Sequence, residues 1–515
     1  MHRKKLPIGI QTFQKIREEE YYYVDKTDFA WRLISEGSHY FLSRPRRFGK
    51  SLFLDTLGEI FAGNEPLFRG LAIHDRWDWS RRAPVIRLSF GAGLAQSRAE
   101  LDRRILALLR VNARALGLTC ADPTDIPGCF AELIAAAHAD TGERVVVLVD
   151  EYDKPILDNI TDHPTARTMR EGLRNLYSVI KDSDAHIRFV FLTGVSKFSK
   201  VSLFSGLNNL NDITVEAAYS AICGYTQADV DSVFAPELEG LDRERIRDWY
   251  NGYNWTGEAV YNPFDLLLLF QKRLFQPFWF ETGTPTFLID LLTERQTWLP
   301  GLGRLETSAD ILSTFDVDDI PTAALMFQAG YLTIEAQESR FGEYWYRLRY
   351  PNQEVYQSLT NSLLRAWTQS DQPMLGNKRR LGELLMANDF AGLESLFTAF
   401  FASIPPDWYR NNPIARYEGY SACVFYAWFA SLGLDITPED SSNQGRLDMA
   451  VRFNGQVYLF EFKVVELEPD GRALRQIKER GYADKYRACG QPIHLIGVEF
   501  SRERRTVVGF EVETL

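Results

Sequence analysis

Two acidic residues and a lysine near the C-terminus have a spacing that brings them together on a strand hairpin. Glu461 and Lys463 lie two residues apart in an apolar run, so on a strand both point to one face. Asp448 lies in the preceding run, and Asn454-Gly455 between the two runs predicts a hairpin turn. Carboxylates of this kind hold Mg²⁺ ions that generate hydroxide at a phosphodiester, and a lysine beside them stabilises the transition state.

Other readings of these residues stay open. Glu461 and Lys463 would equally form a surface salt bridge, although the flanking Leu459, Phe460 and Phe462 indicate a buried strand where unpaired charge is costly. Glu418 opens an apolar helix upstream, where it either joins the metal site or serves as a charge favoured by the helix dipole.

A basic helix is predicted downstream of the hairpin. The stretch from Arg472 to Arg487 holds six basic and two acidic residues. Such a face suits phosphate contacts, and it is equally typical of an ordinary solvated helix surface.

A second group of residues has the pattern of a phosphate-binding loop. Gly49-Lys50-Ser51 follows a strand and opens a helix, where backbone N–H groups cradle phosphates, the lysine reaches the β and γ phosphates and the serine binds Mg²⁺. The glycine expected six positions before the lysine is Arg44, and Pro45 lacks an N–H donor. By motif alone, a solvated basic loop at a helix N-terminus remains open.

A buried-strand pattern that ends in two carboxylates favours the nucleotide site. Asp150 and Glu151 follow the apolar run 145–149. A P-loop ATPase needs an Asp here to orient the Mg²⁺ shell and then a Glu to polarise the attacking water. Such residues lie at the carboxyl ends of parallel strands, beside the phosphate loop. An acidic strand-to-helix turn is the alternative. Thr193 ends the next strand, where either a sensor of the γ phosphate or a simple strand end is expected.

Alternating strand and helix patterns predict how these residues are positioned. Strands at 39–43, 84–90, 144–149 and 187–193 alternate with helices such as 98–115 and 165–181, which indicates a parallel sheet covered by helices. A helix ending near Gly330, followed by strands at 331–334 and 346–350, suits a winged-helix module, with packing favoured over DNA binding as its role. Residues 371–378 are polar and predict a linker.

Composition limits the class of protein. The 515 residues are 45% hydrophobic and 25% charged, with a net charge of −11, which excludes a wholly basic nucleic-acid coat protein. Five cysteines with no CxxC pair argue against a disulfide framework and a cysteine-rich zinc site, and they favour a reducing cytoplasm. No signal peptide or membrane span is expected, since the apolar stretch 421–434 is too short.

The N-terminal motifs carry a family resemblance. The runs PIGIQTF, YYYVDKT, RPRRFGKS, VLVDEYDKP and FLTGVSKFS resemble the prokaryotic AAA-ATPase-like domain, and WYNGYNW, YNPFDLL, TGTPTFLIDLL and GYLTI continue the resemblance over most of residues 1–360. In that family the loop is itself written RPRRFGKS. The resemblance implies a P-loop core, a helical lid and a winged-helix-like piece. Arg44, Arg46 and Arg47 are then expected to supply charge where backbone donors are missing.

The C-terminal pattern resembles the PD-(D/E)XK nuclease superfamily over about residues 416–515. The residues that carry the resemblance are Glu418, Asp448, Glu461, Lys463, Gln476 and Tyr482. The resemblance implies that Asp448 and Glu461 bind metal, Lys463 is the catalytic lysine and Glu418 is a helix-borne carboxylate. It also implies that Gln476 is a polar helix residue near the active site.

These observations predict an α/β protein with three domains. They are a P-loop NTPase core with a parallel sheet (1–215), a helical lid with a winged-helix-like module (216–370) and a PD-(D/E)XK restriction-endonuclease-like domain (371–515). The expected function is ATP binding or hydrolysis coupled to metal-dependent phosphodiester cleavage, with ATP and Mg²⁺ or Mn²⁺ as cofactors and DNA as the expected substrate. The alternative is a nucleotide-dependent switch that binds nucleic acid without cutting it. Monomer and homo-oligomer both stay open.

Overall fold

The chain forms two compact units. The computed structural model describes residues 3–197, 209–283, 286–313, 320–368, 372–404, 419–442 and 445–515. One unit comprises Met1–Gly283 and Glu306–Asn352, and the other comprises Thr284–Leu305 and Gln353–Leu515. The three predicted domains therefore remain a prediction, because compactness alone groups the residues into two units.

A five-stranded parallel sheet forms the centre of the first unit. Its strands are β1 (His39–Ser43), β2 (Val85–Ser89), β3 (Val145–Asp150), β4 (Ile187–Gly194) and β5 (Asn211–Asp212), in the order β2-β3-β4-β1-β5. Every residue of β3 is buried, which explains its uninterrupted apolar run, since parallel sheets are covered on both faces. The four predicted strands are confirmed to within a residue at each end. The two-residue β5 carries no recognisable pattern and was not predicted.

Helices cover this sheet and continue beyond it. The α-helices of the first unit are Phe13–Glu18, Thr27–Glu36, Lys50–Phe61, Arg98–Ala115, Ile126–Thr141, Lys154–Leu157, His163–Asp182, Gln227–Val233, Arg243–Tyr250, Pro263–Lys272, Phe278–Gly283, Ala309–Ser313 and Thr322–Ala329. The predicted helix 98–115 is confirmed at both ends, and its N-cap Ser97 accepts a hydrogen bond from the Glu100 N–H, as helix starts favour.

A small antiparallel sheet combines one strand before the last two of these helices with a hairpin after them. Its strands β6 (Glu306–Ser308), β7 (Thr333–Arg340) and β8 (Glu343–Arg349) are ordered β6-β8-β7. The predicted helix-then-hairpin pattern is confirmed. β7 extends to Arg340, well past the predicted end at 334, because the solvated half of the hairpin is polar and shows no apolar alternation. Its assignment as a winged-helix module stays a prediction.

A mixed five-stranded sheet forms the centre of the second unit. The strands are β9 (Asp435–Ser442), β10 (Gly445–Phe453), β11 (Gln456–Val465), β12 (Ile493–Ser501) and β13 (Thr506–Thr514), ordered β13-β12-β11-β10-β9. β10 and β11 form the predicted antiparallel hairpin, and both turn residues, Asn454 and Gly455, adopt the positive φ that this turn requires. β11 and β12 are parallel. The crossover between them carries two short helices.

Helices complete the described part of the second unit, and three of them, Phe390–Ala402, Tyr420–Ser431 and Arg472–Glu479, pack against this sheet. The helices are Thr286–Glu294, Gln353–Thr368, Gln372–Ala387, Phe390–Ala402, Tyr420–Ser431, Arg472–Glu479 and Asp484–Arg487. The linker predicted at 371–378 is wrong, since Gln372–Ala387 is helical. Its later residues Leu381, Leu384 and Leu385 are buried at helical spacing, and Pro373 lies in the first turn, where proline is tolerated.

The apolar helix Tyr420–Ser431 is buried almost all round, as expected for a helix that is hydrophobic on every face. Its Phe425 and Phe429 pack on Phe460 of β11 with ring centroids 5.6 and 5.1 Å apart. Among the described residues, no helix has both the length and the apolar character needed to cross a membrane.

Cys120 and Cys129 form a disulfide, with their Cα atoms 5.1 Å apart. The cysteine count did not predict this bond, because the loop before helix Ile126–Thr141 brings Cys120 back beside the first turn of that helix. Cys223 and Cys423 are buried free thiols, and Cys489 is an exposed one.

Candidate functional site

The loop between β1 and helix Lys50–Phe61 is the first candidate site. Gly49 is the N-cap residue and has φ +92°, a left-handed conformation that favours glycine. Arg47 has φ +69°, which is uncommon for a residue with a side chain. Residues with sparsely populated backbone conformations cluster at ligand-binding sites. The conformation of Arg47 therefore makes this loop a candidate ligand-binding segment.

Lys50 is buried and bridges its own loop. Its Nζ donates hydrogen bonds to the carbonyl oxygens of Arg44 and Pro45, both at 2.9 Å. Burial lowers the pKa of the Lys50 ammonium, and the negative charge of Asp150 opposes that shift. The Lys50 ammonium is therefore influenced by the negative charges of Asp150, the last residue of β3, and of Glu151, which follows it.

Arg44 serves the scaffold of the loop. Its side chain is fully buried and donates to the carbonyls of Ser43 and Thr214 at 2.8 Å each and of Tyr219 at 3.0 Å. Its guanidinium also lies 4.0 Å from the ring centroid of Trp255, and burial lowers its pKa to about 10. These contacts do not fit the expectation that Arg44 supplies charge to a phosphate.

A cavity of about 450 Å³ opens beside this loop. Its lining includes Arg46, Arg47, Gly49, Lys50, Ser51 and Glu151. The lining also includes residues of the segments 7–11 and 22–26, which belong to the motifs PIGIQTF and YYYVDKT and were given no role in the sequence prediction. A cavity of this volume lies in the range of small-molecule sites. Six of the predicted site residues therefore share one cavity.

Three carboxylates, those of Asp150, Glu151 and Asp153, lie at the end of β3 and in the turn after it, and Glu151 among them lines the cavity. Burial raises the pKa of Glu151, the charge of Asp150 acts in the same direction and Lys50 opposes both. Asp150 is buried at the strand end, where its carboxylate accepts the Glu151 N–H at 3.0 Å. Thr193 is also buried and donates to the Leu42 carbonyl at 3.0 Å. Asp150 and Thr193 are therefore buried near the cavity but are not part of its lining.

The third carboxylate, Asp153, is a positioning residue that the sequence did not single out. It accepts hydrogen bonds from the Ser196 N–H and hydroxyl at 2.6 Å and from the Val195 N–H at 3.0 Å. Asp153 thus ties the turn after β3 to the chain that leaves β4. The only hint in the sequence was that the run VLVDEYDKP contains a third acidic residue, Asp153, after Asp150 and Glu151.

The second candidate site lies on the β10–β11 hairpin. Met449 pairs with Phe460, so Asp448 and Glu461 occupy the next cross-strand position. The Phe462 N–H donates to the Asp448 carboxylate at 2.7 Å, and the Asp448 N–H lies 3.4 Å from a Glu461 oxygen. The two predicted metal ligands are therefore adjacent.

Glu461 is the centre of this cluster. It is 1% exposed, and its Oε1 accepts from Lys463 Nζ at 2.6 Å and also from the Gln476 amide. Burial raises the pKa of Glu461, the neighbouring Asp448 charge adds to the shift and Lys463 opposes it. Burial likewise raises the pKa of Asp448, while the Phe462 N–H opposes that shift. Asp448, Glu461, Lys463 and Gln476 thus converge.

Comparison with known families finds a match at each end of the chain. Residues 7–204 match a predicted AAA-ATPase family, and residues 416–510 match the PD-(D/E)XK nuclease superfamily. An Azotobacter chroococcum mcd 1 protein, described as uncharacterized and lying in the vnfD 5′ region, is 68% identical over 517 residues and covers 100% of both chains. The chain belongs to the AAA-ATPase-like proteins with a PD-(D/E)XK nuclease domain. No solved structure matches it.

The donor set of the PD-(D/E)XK domain fits a hard divalent cation. Asp448 and Glu461 offer carboxylate oxygens side by side in a buried place, where burial raises both pKa values because the charge lacks solvation. Glu418 lies outside the described residues. Within the described ranges, no three His, Cys, Asp or Glu side chains meet where they could hold a metal.

Glu499 positions the helix that carries Gln476. This buried carboxylate on β12 accepts the N–H groups of Asp470, Gly471 and Ala473 at 2.7, 3.2 and 3.1 Å. It thereby caps the start of helix Arg472–Glu479, where an anion is favoured. Sequence reasoning missed Glu499, because its partners precede it by more than 25 residues and no local motif joins them.

Carboxylates pair with four of the six cations of the predicted basic stretch 472–487. The ion pairs are Arg472 with Asp470, Lys478 with Glu513, Lys485 with Asp440 and Arg487 with Asp484. The stretch forms two short helices, Arg472–Glu479 and Asp484–Arg487, rather than one. These pairs favour the solvated-surface reading of the stretch over a continuous phosphate-binding face.

Proposed function

We propose that this protein binds ATP·Mg²⁺ in its AAA-ATPase-like module and cleaves phosphodiester bonds, with DNA as substrate, in its PD-(D/E)XK domain. The proposal includes a cytoplasmic location and control of cleavage by the nucleotide. The observation that carries it is the convergence of Asp448, Lys463 and Gln476 on the buried Glu461 carboxylate.

In the nuclease domain, Asp448 and Glu461 hold Mg²⁺ or Mn²⁺, together with Glu418. The metal, when bound, activates water and stabilises charge on the phosphate oxygens. Lys463 contacts the Glu461 carboxylate, so its ammonium lies beside the place where the metal would bind. There the ammonium orients the nucleophile or stabilises the pentavalent transition state. Gln476 fixes the orientation of the Glu461 carboxylate through the amide hydrogen bond.

In the ATPase-like module, the loop and its helix hold the nucleotide. Lys50 leaves the Arg44 and Pro45 carbonyls for the phosphate oxygens, and Gly49 and the helix N-terminus supply backbone donors. Ser51 and Asp150 hold Mg²⁺, and Glu151 polarises the attacking water. Arg46 and Arg47 add charge from the cavity wall, and Thr193 serves as the sensor behind it.

A cleavage assay on labelled single- and double-stranded DNA and RNA, with and without ATP and Mg²⁺, tests the proposal. We expect Glu461→Gln and Lys463→Met to lose at least about 100-fold in rate, as typical for groups that stabilise the transition state. Lys478→Met is the matched control, because it removes a lysine that pairs with Glu513 on the domain surface. Parent-like cleavage by both site variants would refute the nuclease assignment.

ATP binding is tested separately. Lys50→Ala should lose most of its affinity for ATP, whereas the nuclease variants should retain it. If Lys50→Ala binds ATP like the parent, the nucleotide assignment fails and the cleavage result stands on its own.

One observation favours the second candidate, a nucleotide-dependent switch that binds DNA without cutting it. Among the described residues, two carboxylates meet at the hairpin, and Lys463 and Gln476 already share one oxygen of Glu461. Tight DNA binding with no cleavage under any combination of nucleotide and metal would favour the switch.

A further inference from the structure

A second cavity lies at the opposite end of the parallel sheet from the nucleotide loop. It has a volume of about 440 Å³ and is lined by residues at the starts of β1 and β4 and just before β3. His39 begins β1 and Ser43 ends it, so about 13 Å of strand separates this cavity from the loop, at a rise of about 3.3 Å per residue. The cavity is therefore a separate place on the module.

Two arginines border this cavity, and the nearby Glu143 carboxylate acts on one of them, Arg188. Arg144 and Arg188 both line it, and within the described residues neither guanidinium forms an ion pair. Arg188 stacks 5.3 Å from the ring centroids of Phe61 and Trp77, which holds its guanidinium in place. Burial lowers the pKa of Arg188, and the charges of Arg81 and Arg144 act in the same direction against Glu143.

A buried histidine faces the same space. His39 is 5% exposed, and its Nε2 has no hydrogen-bond partner, with the nearest Asp184 oxygen 4.0 Å away. Its Nδ1 lies 2.9 Å from the Ser38 hydroxyl. When that hydroxyl donates to Nδ1, the proton is on Nε2, which is then a buried donor 4.0 Å from the Asp184 carboxylate at the edge of the cavity. A buried donor without an acceptor is costly.

The charges around this cavity favour an anion. Among the residues that the structure describes, Asp184 is the carboxylate in the lining, and its side chain is 68% exposed to solvent. An anion between Arg144 and Arg188 would relieve their mutual repulsion and give the His39 donor an acceptor. Guanidinium forks match the oxygens of phosphate groups better than a lysine does, because two parallel N–H groups meet two oxygens.

We propose that this cavity binds the phosphate groups of a small molecule, with Arg144 and Arg188 clamping the oxygens and His39 donating from the buried side. The ligand class is inorganic phosphate, pyrophosphate or a phosphomonoester. The cavity volume suits a small ligand of this kind. The site is independent of the nucleotide and nuclease assignments, because it shares no lining residue with the nucleotide cavity.

Pyrophosphate titration by calorimetry tests the site on the full chain. We expect Arg144→Gln to weaken pyrophosphate binding at this cavity about tenfold, the equivalent of one charged hydrogen bond. In the Lys50→Ala background, where the phosphate loop no longer contributes, Arg144→Gln combined with Arg188→Gln should abolish binding. Arg144 is exposed, so its single substitution should not disturb folding. Arg103→Gln is the matched control, since it removes an exposed arginine of helix Arg98–Ala115.

Two further arms identify the source of binding. Lys50→Ala should keep this binding, because the phosphate loop lies elsewhere; complete loss in Lys50→Ala would assign the signal to the loop and overturn the proposal. Unchanged binding in the double arginine variant would also overturn it. An oligonucleotide that lacks terminal phosphates should not bind here. Binding of that oligonucleotide in place of pyrophosphate would refute a small-molecule site.

Discussion

Replacing Arg44 with lysine separates a scaffold role from a phosphate-binding role. The guanidinium satisfies three carbonyls, of Ser43, Thr214 and Tyr219, and stacks on Trp255. A lysine keeps the charge, but one nitrogen reaches at most two of these carbonyls. One buried carbonyl then stays unsatisfied, which costs about 1–3 kcal/mol. Loss of the desolvated stack over Trp255 adds about 1–2 kcal/mol.

These two losses together predict that Arg44→Lys lowers the free energy of unfolding by about 2–5 kcal/mol. The matching fall in melting temperature is about 4–20 °C for a domain of 150–250 residues. Thermal unfolding followed by tryptophan fluorescence measures the fall. ATP affinity, measured well below the transition, should stay within about threefold of the parent, because Arg44 does not line the cavity.

Arg47→Lys is the matched control for this prediction. Arg47 lines the cavity, and its guanidinium lies 5.1 Å from the Phe264 ring without burying itself among carbonyls. Arg47→Lys should therefore weaken ATP binding with little change in melting temperature. If Arg44→Lys instead keeps full stability and loses tenfold in ATP affinity, the guanidinium contacts phosphate and the scaffold argument is wrong.

Three further substitutions follow from the contacts. Gln476→Ala should slow cleavage about tenfold with little loss of stability, because its amide orients Glu461 at a partly exposed position. Glu499→Gln should lower both cleavage and stability, the latter by about 1–2 kcal/mol for a weakened cap. Phe341→Asn should raise stability by about 0.5–1 kcal/mol, since Phe341 is fully exposed at φ +55°.

Each of these outcomes has its own check. Unfolding and cleavage are measured on the same protein, and in the Gln476→Ala background Glu499→Gln should still lower stability but should not slow cleavage further. Additive losses in cleavage would mean that Glu499 acts by another route. Tyr344→Asn is the control for Phe341, because it lies on strand β8 of the same hairpin; a gain in stability there too would rule out the backbone explanation.

Local patterns predicted the strands and the hairpin because their causes are local. The strand His39–Ser43 is buried along its whole length, and the Asn454-Gly455 turn requires two positive φ angles that these two residues tolerate. The helix Gln372–Ala387 was missed for the converse reason. Its first turns contain Pro373, Gly376 and a polar run, which favour a linker, whereas the later Leu381 and Leu385 are buried at helical spacing.

Buried charges divide into two kinds in this structure, and sequence alone separates them poorly. Arg44, Asp153 and Glu499 are each satisfied mainly by backbone groups of distant segments: Arg44 by carbonyls up to 175 residues away, Glu499 by the N–H groups of a helix start. Their hydrogen-bonding capacity is used by the fold. The spacing of a sequence motif cannot predict such partners. They are backbone N–H and carbonyl groups, which every position in the chain can offer whatever its side chain.

Glu461 belongs to the other kind. Its oxygens are bound mainly by side chains, those of Lys463 and Gln476, with one long contact of 3.4 Å from the Asp448 N–H. The Asp448 carboxylate also lies beside it, so like charge is close to Glu461. An arrangement that raises the pKa of both carboxylates is unfavourable for folding and becomes favourable when a cation arrives. The site residues were recognisable from sequence because chemistry of this kind requires particular side chains at particular strand positions.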